Sequence, residues 1–188
     1  MTHQANVFRR FRFLILIPTT FASGLLLMAV PAAAADGTCP AVFDALAKIS
    51  ATPHHAFLTE TAAFRNGGKP TSSESILAGG SYYIRVNEKW IHSRLTPQQM
   101  QQQEQENRKN VRNAQCHYLR DELVNGESAA LYSAHSETED AKTDAQVWVS
   151  KSKSLPLKEE LDTDTGDRDG KTHRSMRYEY GNVKPPMD

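Results

Sequence analysis

The spacing of apolar residues along the chain switches between two periods, and the switches mark its elements. In "CPAVFDALAKIS", from residue 39, Val42, Leu46 and Ile49 recur at helical spacing with Phe43 beside them. A short helix with one buried face is predicted there, opened by Pro40 and ended near Thr52 and Pro53. The period then falls to two. "HHAFLTETAAF" alternates as a strand does, "NGG" at 66 to 68 is a hairpin signal, and "SESILA", "SYYIRVN" and "KWIHSRL" follow as short strands. Strands so closely spaced predict an antiparallel meander.

The meander is interrupted by "TPQQMQQQEQENRKNVRNA", in which Thr96, Pro97 and Gln99 supply an N-cap, a first-turn proline and a capping-box partner. A helix begins here, with Met100 and Val111 as almost its whole apolar stripe. So polar a helix has little face to bury and is expected to lie across an opening or edge of the sheet, as a movable cover. Strands resume in "CHYLRDELV", "SAALYSAHSE", "AQVWVSK", "LPLKEELD" and "THRSMRYEYG", with Asn125-Gly126 as a further hairpin signal and Pro156 confined to a strand beginning. About nine strands and two helices give an α+β fold. Its expected form is a single curved antiparallel β-sheet, a half-open barrel built as a meander, with an N-terminal helix and one inserted polar helix.

The stretch before the first helix has a different logic. Arg9, Arg10 and Arg12 precede the apolar run "FLILIPTTFASGLLLMAV", and "PAAAAD" offers the small residues of a cleavage site after Ala34 or Ala35. Residues 1–35 therefore read as a secretory signal peptide, with a periplasmic destination and no transmembrane segment after cleavage. Cys39 follows "DGT" rather than the small apolar run of a lipidation signal, so a soluble mature chain is expected. Removing the signal takes away three arginines and no acid, leaving 19 basic against 22 acidic residues. No basic patch remains for nucleic acid. The two cysteines, Cys39 and Cys116, would meet an oxidising compartment, and one disulfide between them is the economical reading.

The layout of a signal, a helix, a meander, a helical insertion and further strands, ending in "VWVSKSKSLPLKEE" and "MRYEYGNVKPP", resembles the LolA/LolB/LppX superfamily of periplasmic lipoprotein carriers and lipid-binding lipoproteins. The resemblance covers most of the mature chain and rests on a W-x-S strand followed by LP-x-K-x-E. It implies one half-barrel domain over residues 36–188, with a sheet that cradles helices around an apolar cavity.

A search for chemistry returns little. "GESAA" lacks the second glycine of a nucleophile elbow, and no phosphate loop or H-E-x-x-H occurs. His54 and His55 are adjacent and point to opposite faces of a strand. His92, His117, His135 and His173 are scattered along the chain. In "DTDTGDRDG", placing Gly170 at the invariant glycine of a calcium loop leaves Thr165 first and Met176 last, so the pattern fails at both ends. No cofactor is implied, and no nucleophile and base can be paired by spacing, so the protein is expected not to be an enzyme.

What remains is a set of aromatic and apolar strand residues. Tyr82, Trp90, Trp148, Met176 and Tyr178 are the candidate ligand-binding residues, on the expectation that they line the concave side of the sheet. The partner implied is a lipid or lipoprotein acyl chain. The alternative is an envelope structural protein with a filled core, binding a protein partner through its outer face or an edge.

Overall fold

Three two-residue turns fix the register of much of the sheet. Gly79-Gly80, Asn87-Glu88 and Asn125-Gly126 all take positive φ at both positions, the geometry whose twist matches that of flanking antiparallel strands. The structure, a computed structural model, describes residues 38–62, 65–167 and 170–186. The expected export segment lies outside the described residues. In chain order the elements are α1 (Thr38–Ile49), β1 (His54–Ala62), a 3₁₀ turn (Asn66–Gly68), β2 (Thr71–Ala78), β3 (Ser81–Val86), β4 (Lys89–His92), α2 (Pro97–Lys109), β5 (Arg112–Val124), β6 (Glu127–Glu137), β7 (Lys142–Ser150), β8 (Pro156–Asp164) and β9 (Lys171–Glu179).

The nine strands form one antiparallel sheet in the order β4-β3-β2-β1-β9-β8-β7-β6-β5. It is curved and not closed, the half-barrel form expected. Each neighbouring pair is consecutive in sequence except β1 and β9, which join two meanders at the centre. The "NGG" stretch is a 3₁₀ turn rather than a tight hairpin. The cause lies in β1, whose pairing with β2 ends at Glu60 and Thr71 while β1 runs on to Ala62 against β9.

One face of the sheet carries α1. Val42 and Ala45 pack on Val147 and Val149 of β7, and all four are buried. Alternation then dictates that Trp148, between the two valines, faces the other way. It does so, in a second cluster with Ala129, Leu131 and Leu157. On that outer face the Lys158 ammonium lies 4.6 Å from the Trp148 ring and the Arg177 guanidinium 4.2 Å from the Phe57 ring.

The start of α1 is fixed covalently. Cys39 is bonded to Cys116 of β5 with Cα atoms 5.0 Å apart, inside the usual disulfide range. α2 begins with the expected capping box on Thr96 and Gln99. It ends at Lys109, so Val111 falls outside the helix and Met100 keeps no partner in an apolar stripe. α2 buries no residue. Arg108 ties it to α1, donating to the Phe43 carbonyl and lying 5.5 Å from the Phe43 ring. Among the described residues no helix is long and apolar enough to cross a membrane.

Candidate functional site

Because Val42 and Ala45 occupy the part of α1 that touches β7, Leu46 and Ile49, further along the same helix, are left facing β1, β8 and β9. Between them and the sheet lies a cavity of about 400 Å³, within the range of small-molecule sites. Its floor is built by strand alternation: His54 and Ala56 from β1, Ser75 from β2, Tyr82 from β3, Glu159 and Leu161 from β8, Met176 and Tyr178 from β9. Met100 and Glu104 of α2 complete the lining. The polar helix thus lies over an apolar hollow, with its methionine turned to it.

Two polar groups are embedded in this lining. Glu159 is 5% exposed, and Tyr178, at 4%, donates from its hydroxyl to Glu159 Oε1 over 2.7 Å. Burial is the main force on the Glu159 carboxyl and pushes its pKa up to about 7, with Glu104 adding to the rise and the Tyr178 hydrogen bond opposing it. Desolvation likewise raises the Tyr178 hydroxyl well above its ordinary value. Glu159 therefore changes protonation near neutrality. His54 is also buried, and desolvation lowers its pKa although Nδ1 donates to the Thr52 carbonyl over 2.8 Å. Its ring meets Tyr178 edge to face at 5.8 Å. Tyr180 stacks on Tyr178 and donates to the Pro156 carbonyl over 2.6 Å.

Of the five residues expected to hold a ligand, Tyr82, Met176 and Tyr178 line this cavity. The tryptophans do not. Trp148 is on the outer face, where its indole nitrogen donates to Glu122 Oε2 over 2.6 Å. Trp90 of β4 lies 6.0 Å from the ring of His55, and His55 bonds Glu74 at 3.1 Å. Both placements correct the expectation of a shared concave lining, and strand parity is the reason. His54, Glu104 and Glu159 were not anticipated.

A second cleft, of about 490 Å³, gathers histidines that are far apart in sequence: His117, His135 and His173, with Ser133, Asp144, Glu160 and Asp162. Register explains it. His135, Asp144, Asp162 and His173 are direct cross-strand neighbours over β6 to β9. His135 meets Asp144 at 2.7 Å through Nδ1 and Glu137 at 3.6 Å through Nε2, and the Asp144 hydrogen bond raises its pKa. His173 likewise has Asp162 at 2.8 Å and Glu160 at 3.2 Å on its two nitrogens. In each ring Nδ1 is taken by an aspartate while Nε2 faces a glutamate. Among the described residues no three His, Cys, Asp or Glu side chains are grouped to hold a metal ion.

No protein-family profile matches the chain, and no curated protein matches it in sequence. Solved structures do. The lipoprotein LppX of Mycobacterium tuberculosis aligns over 81% of this chain and 98% of its own at 9% identity and a TM-score of 0.41. LprF of Mycobacterium bovis aligns over 78% and 93% at 8% identity and 0.38. MucB, in its complex with MucA from Pseudomonas aeruginosa, aligns over 77% of this chain and 58% of that chain at 12% identity and 0.39. The likeness is structural and distant.

Proposed function

We propose that this is an exported, non-enzymatic binding protein that holds an acyl chain or other amphipathic molecule between its sheet and its helices, with α2 as the movable cover. The observation that carries this reading is the cavity of about 400 Å³, roofed by a helix that buries none of its own residues. A hollow lined by Leu46, Ile49, Met100, Leu161 and Met176 leaves apolar surface unfilled, and an alkyl chain gains about 0.8 kcal/mol for each methylene it buries there. The Cys39–Cys116 disulfide fits an oxidising compartment, in keeping with a periplasmic protein whose residues 1–35 are a signal peptide and whose residues 36–188 are one domain. Tyr82, Met176 and Tyr178 are the ligand-contacting residues retained from the sequence, with Leu46 and Met100 added.

Native mass spectrometry of protein purified from the periplasm tests the reading. Adducts of amphiphile mass are expected, together with uptake of the neutral dye N-phenylnaphthylamine that is lost when Leu161→Trp fills the cavity. A bare mass with no dye uptake by the wild-type protein would sink it. The alternative, an envelope protein that docks a partner through an edge, is favoured by one observation: Leu123 on the edge strand β5 is 76% exposed.

A further inference from the structure

The electrostatics of the cavity restrict what can enter it. The lining contains two carboxyl groups, Glu104 and Glu159, and one buried histidine, His54; no lysine or arginine contributes to it. The nearest guanidinium on α2, Arg108, is already engaged by Glu104 at 3.1 Å and by the Phe43 carbonyl. The acids of the lining stand together, with Glu104 close enough to Glu159 to raise its pKa. Glu159 is buried on β8, and Glu104 stands on the covering helix with its side chain 42% exposed.

From this arrangement, and resting on the binding function proposed above, we infer that the cavity selects amphiphiles with a non-anionic, hydrogen-bond-donating head and excludes free fatty acids. A carboxylate head drawn into the hollow meets the buried Glu159 carboxyl, with no lysine or arginine among the described lining residues to receive it. Beside Glu159 it must share that group's proton or lie against its charge, and Glu104, already paired with Arg108, offers it no donor. Like charges brought together in a desolvated site repel strongly. A hydroxyl or ammonium head instead donates to a carboxyl group that already accepts from Tyr178 on one oxygen. Burial drives the same selection, because an acceptor taken out of water without donors is penalised.

The two kinds of donor differ in their response to pH. The groups around Glu159 are Tyr178 and Tyr180 from the end of the chain, Tyr82 from β3, His54 from β1, and Glu104 with its partner Arg108 from α2. Both tyrosines near the carboxyl, Tyr178 and Tyr180, are raised in pKa and stay neutral, and buried His54 is held towards its neutral form. Glu159 is then the group that charges as pH rises through about 7. An alkylammonium gains a counterion over that interval, whereas an acylglycerol does not.

The test is competition for bound N-phenylnaphthylamine by three ligands of equal chain length: monopalmitoylglycerol, hexadecylamine and palmitate. Palmitate is expected to compete about tenfold or more less well than monopalmitoylglycerol at pH 7.5. Hexadecylamine should tighten between about pH 6 and 8 while monopalmitoylglycerol stays level. Glu159→Gln should narrow the gap between palmitate and monopalmitoylglycerol and flatten the amine's pH dependence. If that variant fails to fold, Glu104→Gln, at a partly exposed position, should narrow the gap in the same direction. Palmitate competing as well as the neutral lipid in the wild-type protein overturns the inference and leaves the binding function standing. Failure of the dye and all three ligands to bind overturns the binding function itself.

Discussion

Glu159 makes the fold sensitive to pH through one side chain. Its carboxyl has an ordinary pKa of 4.5 when the chain is unfolded and about 7 when it is folded. Between those values the native state holds a proton that the unfolded state has released, so stability falls as pH rises through the interval and levels above it. The loss is about 3 kcal/mol for one wholly buried group. His54 acts in the opposite sense: its lowered pKa means that stability is lost as pH falls below about 6.5. Comparison with Glu159→Gln separates the two, since His54 is common to both proteins. The urea midpoint of the wild type is expected to fall relative to that of the variant from pH 4.5 to 7, and parallel profiles would refute the assignment. Tyr178→Phe removes the hydroxyl donor at 2.7 Å. It should destabilise by about 1–3 kcal/mol and move the Glu159 titration still higher, readable by carbon NMR of the glutamate carboxyls. An unmoved or lowered titration would contradict the role given to that hydrogen bond.

At the scale of elements, two helices of similar length are held in unlike ways. α1 packs Val42 and Ala45 on β7 and is tied to β5 by the disulfide, which closes a separation of 77 residues. On the chain-entropy account a loop of that size stabilises by about 4 kcal/mol. Reduction should therefore lower the unfolding free energy by several kcal/mol in urea titrations with and without reductant, and a change below about 1 kcal/mol would show that the staple restrains little. Among the described residues α2 is held by its caps and by the Arg108 tether to α1, and none of its own residues is buried. Its amides, residues 98–109, should exchange with deuterium about tenfold or more faster than those of α1, faster again in Arg108→Ala, and slower when the cavity is filled. Equal protection of the two helices would rule α2 out as a cover.

These elements were legible because their signals are local. The capping box of Thr96 and Gln99, the Asn125-Gly126 turn and Pro156 at the head of β8 each report on a few adjacent residues, and each is found as read. The faces were harder. Valines on both sides of Trp148 require it to point away from the helix-bearing face, a matter of parity that the size of an aromatic side chain does not reveal. Glu159 was missed for a related reason. "LKEEL" looks solvated, yet Glu159 stands two residues from Leu161, and alternation along β8 puts both into the cavity. The His135, Asp144, Asp162 and His173 row depends on pairing across four strands, which no spacing along the chain reveals.

For the molecule as a whole, the strand order has a consequence in time. β1 pairs with β2 on one side and with β9 on the other, so the middle of the sheet is made from its first and last strands. Until β9 is in place, β1 has a partner on one edge only, and the two meanders are separate ribbons with bare inner edges. Closure of that seam must await residues 171–179, and contacts so distant in sequence make for folding in milliseconds to seconds rather than microseconds. Until the last strand docks, the newborn chain is a two-part object, open to holdase chaperones and to strand exchange with its neighbours.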